Sequence, residues 1–180
     1  MMAAGVVAVT ACASLPVANV DIDVSYVPGE ELAGGNNTPV IIVGNPFPIP
    51  QPEFTADAID AMQGWAFGPN IFVPATDPNA VYRVIVMFYP SNNVIGQTLC
   101  TRPPTAQPLF GVAPGGPTAP LSAALCRGDK YLAHAWGTVP TGDGPRSETF
   151  RTGFGRFIRT LFPAQNPQRR PDRPCMFGRC

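Results

Sequence analysis

The chain has 180 residues, of which 45% are hydrophobic and only 13% charged, and its formal net charge is zero. Its 18 Gly and 23 Pro make up just under a quarter of the sequence, short of the roughly 25–30% that marks low-complexity chains. These figures exclude a coiled coil, a helical bundle, a polycationic nucleic-acid binder and a fully disordered chain, and they leave one loop-rich globular domain.

The first element is an apolar leader. Residues 1–11 read Met-Met-Ala-Ala-Gly-Val-Val-Ala-Val-Thr-Ala, too short to span a bilayer, which takes about 20 apolar residues. They fit the apolar region of a secretory signal, with Met1 expected to lie inside a longer one because no Lys or Arg precedes the run. Val9-Thr10-Ala11-Cys12 resembles the lipobox of bacterial lipoproteins. The branched residue and two small residues let a signal peptidase close on the backbone, and the thiol takes a diacylglycerol. The resemblance implies cleavage after Ala11, lipidation of Cys12, and a short tether over residues 12–19. Ala13, where inner-membrane lipoproteins often carry Asp, implies the outer membrane facing the periplasm. One acyl chain binds only marginally, whereas two or three anchor for good.

A domain over residues 20–163 follows. Val20, Ile22, Val24 and Tyr26 alternate with Asp21, Asp23 and Ser25, which predicts a half-buried strand. Val40-Ile41-Ile42-Val43 predicts a central strand that ends at Gly44-Asn45-Pro46. Pro52 suits the first turn of a helix, with Phe54, Ala58, Ala61 and Met62 on one face and Gly64 as its stop. Residues 65–81 read as a long loop that packs its aromatic residues over the sheet. Tyr82 to Tyr89 is apolar on both sides, the pattern of a covered central strand. Residues 101–120 read as a surface loop. Leu121–Cys126 and Tyr131–Thr138 predict a hairpin turning at Arg127-Gly128-Asp129-Lys130. Ser147 caps a last helix whose apolar stripe is Phe150, Phe154, Phe157, Ile158 and Leu161. Gly153 and Gly155 either weaken that helix or let it approach a neighbour closely. The order ββαβββα predicts an α+β two-layer sandwich, a mostly antiparallel sheet carrying both helices on one face. Residues 40–89 form the expected crossover unit.

Residues 164–180 form a Pro/Arg-rich tail in which Arg169, Arg170, Arg173 and Arg179 face only Asp172. Such guanidinium groups suit lipid phosphates, peptidoglycan carboxylates or an acidic protein. The tail belongs to a wider asymmetry. Residues 1–82 hold eight acids and no Lys or Arg, while residues 83–180 hold twelve cations and four acids, giving −8 and +8. Packed as one domain, these fields largely cancel; segregated on two faces, they would orient the molecule against a charged surface.

Export frames the remaining cysteines, Cys100, Cys126, Cys175 and Cys180, an even number for an oxidising compartment. Three pairings are possible, and neighbourhood favours Cys100–Cys126 with Cys175–Cys180. A Cys-x4-Cys pair with one His is a poor zinc match, and no motif asks for a cofactor. His134, the one histidine, shares a predicted face with Leu132 and Trp136 and reads as structural. A Cys/His nucleophile pair competes with the disulfide, and no Gly-x-Ser-x-Gly elbow supports a Ser-His-Asp triad.

Gly44-Asn45-Pro46-Phe47, Cys126-Arg127-Gly128-Asp129 and Leu161-Phe162-Pro163 are similar to segments of alphaproteobacterial envelope lipoproteins of no assigned activity, and the element order resembles that of small envelope lipoproteins such as the lipopolysaccharide-assembly lipoprotein. The expectation is a non-catalytic, lipid-anchored envelope protein with a scaffold or assembly role and a lipopolysaccharide, peptidoglycan or protein partner. The alternative is a periplasmic hydrolase or small-ligand-binding domain with its site under loops 65–81 and 101–120. A cleft holding His134 beside a carboxylate would favour the alternative.

Overall fold

The structure, a computed structural model, describes residues 17–66, 68–91, 94–101 and 116–169. It is mixed α+β. The strands are β1 (Val17–Ile22), β2 (Asn37–Val43), β3 (Ile71–Pro74), β4 (Tyr82–Phe88), β5 (Thr118–Arg127) and β6 (Lys130–Pro140). The helices are α1 (Gln51–Met62), α2 (Gly96–Cys100) and α3 (Glu148–Arg159), with a 3-10 turn at Glu30–Gly34. One sheet runs in the order β1-β6-β5-β4-β2-β3. The pairs from β1 to β4 are antiparallel, and β2 pairs parallel with both β4 and β3.

The two longer helices start where their sequences place them. Pro52 lies in the first turn of α1, where its missing N–H costs nothing. Ser147 Oγ accepts from Phe150 N–H at 3.2 Å and so satisfies one free donor of α3. Phe54 of α1 and Phe150, Phe154 and Phe157 of α3 are fully buried against Val84, Val86 and Phe88 of β4. Each such side chain is worth about 1.5–3 kcal/mol. Their rings meet at edges and offsets, Phe54–Phe88 at 5.2 Å and Phe47–Phe150 at 5.1 Å between centroids.

Four features depart from the predicted order. Residues 71–74, expected within a loop, form β3. Among the described residues it pairs only with β2, and Phe72 is its one buried residue. The crossover from β2 through α1 therefore closes on β3, not on β4. The segment 96–100 forms α2, which lies against the opposite sheet face with Ile85, Met87, Ala124 and the two cysteines. Lastly, β1 starts at Val17, inside the expected tether, and stops at Ile22, so the predicted strand over 20–26 is cut short. Asp23 Oδ1 accepts from Ser25 N–H at 2.7 Å and bends the chain, leaving Val24 63% exposed while Tyr26 turns back into the core.

The start of the tail belongs to the fold. Asn166 Nδ2 donates to the carbonyls of Asp23, Val24 and Tyr26 at 2.9–3.2 Å, and Tyr26 Oη donates to Pro163 O at 3.1 Å. The two charge halves interleave as well. Glu30 pairs with Arg127 at 2.7 Å, Asp23 with Lys130 at 2.9 Å, Asp57 with Arg146 at 2.9 Å, and Asp60 with Arg151. Acids of the first half thus meet cations of the second in ion pairs at these four places.

Candidate functional site

One irregularity decides which side chains face which way. Across β5 and β6, Cys126 pairs with Tyr131 and Leu125 with Ala133, so Leu132 is the extra residue of a β-bulge. Beyond it the alternation is inverted. Leu132, Ala133 and Ala135 face the core under α1 and α3, whereas Tyr131, His134 and Trp136 line a hollow beside α2. The expectation that His134 shares a face with Leu132 assumed unbroken alternation, and the bulge overturns it.

The hollow has a volume of about 440 Å³. Its floor is His134, 6% exposed. Trp136 stacks on the imidazole at 5.0 Å between centroids and an interplanar angle of 23°. Asp21, the register partner of His134 on β1, supplies a carboxylate. Tyr131 Oη donates to Asp21 Oδ2 at 2.9 Å. That hydrogen bond, with burial, raises the phenol and keeps it a donor. Val94 and Ile95 form an apolar rim. Gly96 lets α2 come this close: a Cβ there would lie 2.7 Å from His134 Cβ and 2.8 Å from Tyr131 Cγ.

Behind the ring, Ser122 Oγ lies 2.8 Å from His134 Nε2, with the donor set by the tautomer. Burial pulls His134 down from 6.5 to about 4 against the opposing field of Asp21, so the imidazole is neutral at pH 7. Ser122, His134 and Asp21 thus lie together, yet the arrangement does not make a nucleophile. Ser122 is 1% exposed beneath the imidazole, and a base with a pKa near 4 is far from the optimum for removing its proton at neutral pH. Asp23, just past the end of β1, is held at about 2: burial opposes its ionisation, and the Ser25 hydroxyl and amide together with Lys130 outweigh it.

The wall of the hollow is fixed covalently. Cys100 at the end of α2 is bonded to Cys126 of β5, with both residues fully buried. Arg83, also fully buried, donates from Nη2 to Cys100 O at 2.6 Å and from Nη1 to Gly128 O at 2.9 Å and Ala80 O at 3.1 Å. It ties α2, the hairpin turn and β4 together.

Of the residues proposed from the sequence, the structure brings Cys100 and Cys126 into the expected bond. Arg169 is exposed, and its Nε donates to Val24 O at 3.1 Å. Cys12, Cys175, Cys180, Arg170, Arg173 and Arg179 lie outside the described residues, as does most of loop 101–120. Loop 65–81 holds β3 at the sheet edge opposite β1, so the hollow is not beneath it. Asp21, Tyr131, Trp136 and Ser122 carried no motif. Their signal lies in cross-strand register, which the bulge hides.

Two solved structures similar to the chain are dodecamers of PelC from Paraburkholderia phytofirmans. One, a point variant, is 12% identical with a TM-score of 0.46 and covers 84% of this chain and 100% of its own. The other is 12% identical with a TM-score of 0.45 and covers 82% and 99%. No family model matches the chain, and no curated protein matches it. Among the described residues, no helix is long and apolar enough to cross a membrane.

Proposed function

We propose that the protein is a non-catalytic, lipid-anchored component of the bacterial cell envelope, held through Cys12 in the outer membrane and facing the periplasm. The observation that carries this reading is the buried Cys100–Cys126 bond, a device of oxidising compartments, in a chain whose Val9-Thr10-Ala11-Cys12 has lipobox spacing. The inaccessible Ser122 and the weakly basic His134 fit a role without turnover. The arginines at 169, 170, 173 and 179 would meet the phosphates or carboxylates of lipopolysaccharide or peptidoglycan. The test is metabolic labelling with a palmitate analogue, the chain being expressed behind a lipoprotein signal sequence. Label lost in Cys12→Ser supports the reading, and unchanged label overturns it.

The hollow over His134 favours a second reading, a small-ligand-binding domain. It has the size and make-up of ligand sites, which are mostly apolar with a few convergent polar groups. The two readings are compatible, since an anchor and a binding domain occupy different parts of the chain.

A further inference from the structure

We infer that the hollow over His134 is a binding site for an oligosaccharide: one pyranose unit lies on the outer face of Trp136, and the hydroxyls of the adjoining unit, seated in the hollow, bond to Asp21 and to Nδ1 of His134. This rests on the ligand-binding reading and names the ligand class.

Three observations carry it. First, Trp136 is 42% exposed on an otherwise ordered strand. One ring face is covered by His134, which fixes the indole and leaves the other face open. An indole face carries partial negative charge, and the axial C–H groups of a pyranose carry partial positive charge.

Second, the polar groups converge beside that ring. Asp21 Oδ2 accepts from Tyr131, leaving further lone pairs on the carboxylate for hydroxyl donors. His134 is more than nine-tenths buried and Nε2 is engaged with Ser122, while Nδ1 has no hydrogen-bond partner among the described residues. A neutral imidazole nitrogen donates or accepts according to tautomer, as a sugar hydroxyl does. Vicinal hydroxyls can therefore bridge Asp21 and His134.

Third, the lining selects against other ligands. Among the described residues it contains no Lys or Arg, and Lys130 is paired with Asp23 at 2.9 Å, so the one charge that a phosphate or carboxylate would meet there is that of Asp21. A purely apolar ligand would strip water from Asp21 and His134 without replacing their hydrogen bonds.

The site is also preorganised, because the disulfide, the Gly96 contact and the bulge hold its walls before any ligand arrives.

The experiment titrates the purified full-length chain with N-acetylglucosamine tetramer, cellotetraose and maltotetraose, following tryptophan fluorescence and amide NMR shifts. Trimethylphenylammonium and phenyl phosphate run in parallel as non-sugar probes. The inference expects saturable binding of at least one oligosaccharide, with shifts centred on Asp21, His134 and Trp136. Affinity should fall at least tenfold in Trp136→Ala, recover in Trp136→Phe, and fall severalfold in Asp21→Asn. Both positions are exposed, so the variants should fold. Binding of a non-sugar probe alone, lost in Trp136→Ala, would overturn the saccharide assignment and keep the ligand-binding reading. Binding of no probe, or binding unchanged in Trp136→Ala, would overturn both.

Discussion

His134 is the chain's one histidine, so its ring protons give an unambiguous titration. In the folded protein burial holds it at about 4 instead of 6.5, with Asp21 pulling the other way. The folded pKa is thus depressed, and between pH 6.5 and 4 the unfolded chain takes up a proton that the folded chain refuses. This contribution is fully present above pH 6.5, drains away as pH falls toward 4, and then levels off. At about 1.4 kcal/mol per pH unit, the interval between 6.5 and about 4 amounts to about 3 kcal/mol. That is a large share of the 5–15 kcal/mol typical of a domain. The variant is His134→Gln, which keeps a polar end facing Ser122 and cannot titrate. Urea unfolding of both proteins at steps from pH 7.5 to 4 gives the stabilities. Asp23, lowered to about 2, and Glu31, raised by burial, titrate in both proteins and cancel in the difference. The wild type should lose about 3 kcal/mol relative to the variant over that range. Parallel stability curves, or an NMR midpoint near 6.5 in the folded wild type, would refute the assignment of a buried neutral ring.

Two further outcomes test the scaffold. Replacing Cys100 and Cys126 with Ala opens a link of sequence separation 26 and should cost about 3–4 kcal/mol on the chain-entropy model, read as a lower urea midpoint that reductant does not lower again. In α3, Gly155→Ala would ordinarily gain about 1 kcal/mol of helix propensity, but a Cβ there falls inside the indole of Trp65. It should therefore destabilise the wild type by about 1–2 kcal/mol and stabilise a Trp65→Ala background, a reversal that a double-mutant cycle measures.

What the sequence discloses depends on how local the cause is. The cap at Ser147, Pro52 in the first turn and the phenylalanine stripe of α3 are signals within one or two turns, and the structure has them in place. The bond between Cys100 and Cys126, which neighbourhood in the sequence favours, is there too. β3 is a different case. Four residues ending in Pro74, with only Phe72 buried, carry no alternation long enough to read, and the strand exists because β2 offers it an edge. α2 has only five residues, and its place is set by the disulfide, by Arg83 and by the glycine that lets it touch Tyr131 and His134. The candidate site inherits this difficulty. Its carboxylate, rings and hydroxyl come from β1, β5 and β6 and meet only through strand register.

The bulge at Leu132 has a physical cause on the other side of the sheet, and this links the core to the candidate site. α3 lays Phe150, Phe154 and Phe157 over the helix-covered face, where all three are fully buried. Interiors pack at crystal-like density, so the strands beneath these rings need small side chains. Ala119 and Ala123 of β5 and Ala133 and Ala135 of β6 supply them, with Ala123 directly opposite Ala135. Regular alternation from Tyr131 would put His134 and Trp136 under the phenylalanines instead and turn the two alanines outward. That would bury a polar ring away from Ser122 and overfill the space. The extra residue exchanges the two sets, and the requirement of α3 for alanines below it delivers His134 and Trp136 to the face that α2 only partly covers. Deleting Leu132 would thus damage both faces together, exposing the alanines and driving the imidazole and indole into the core.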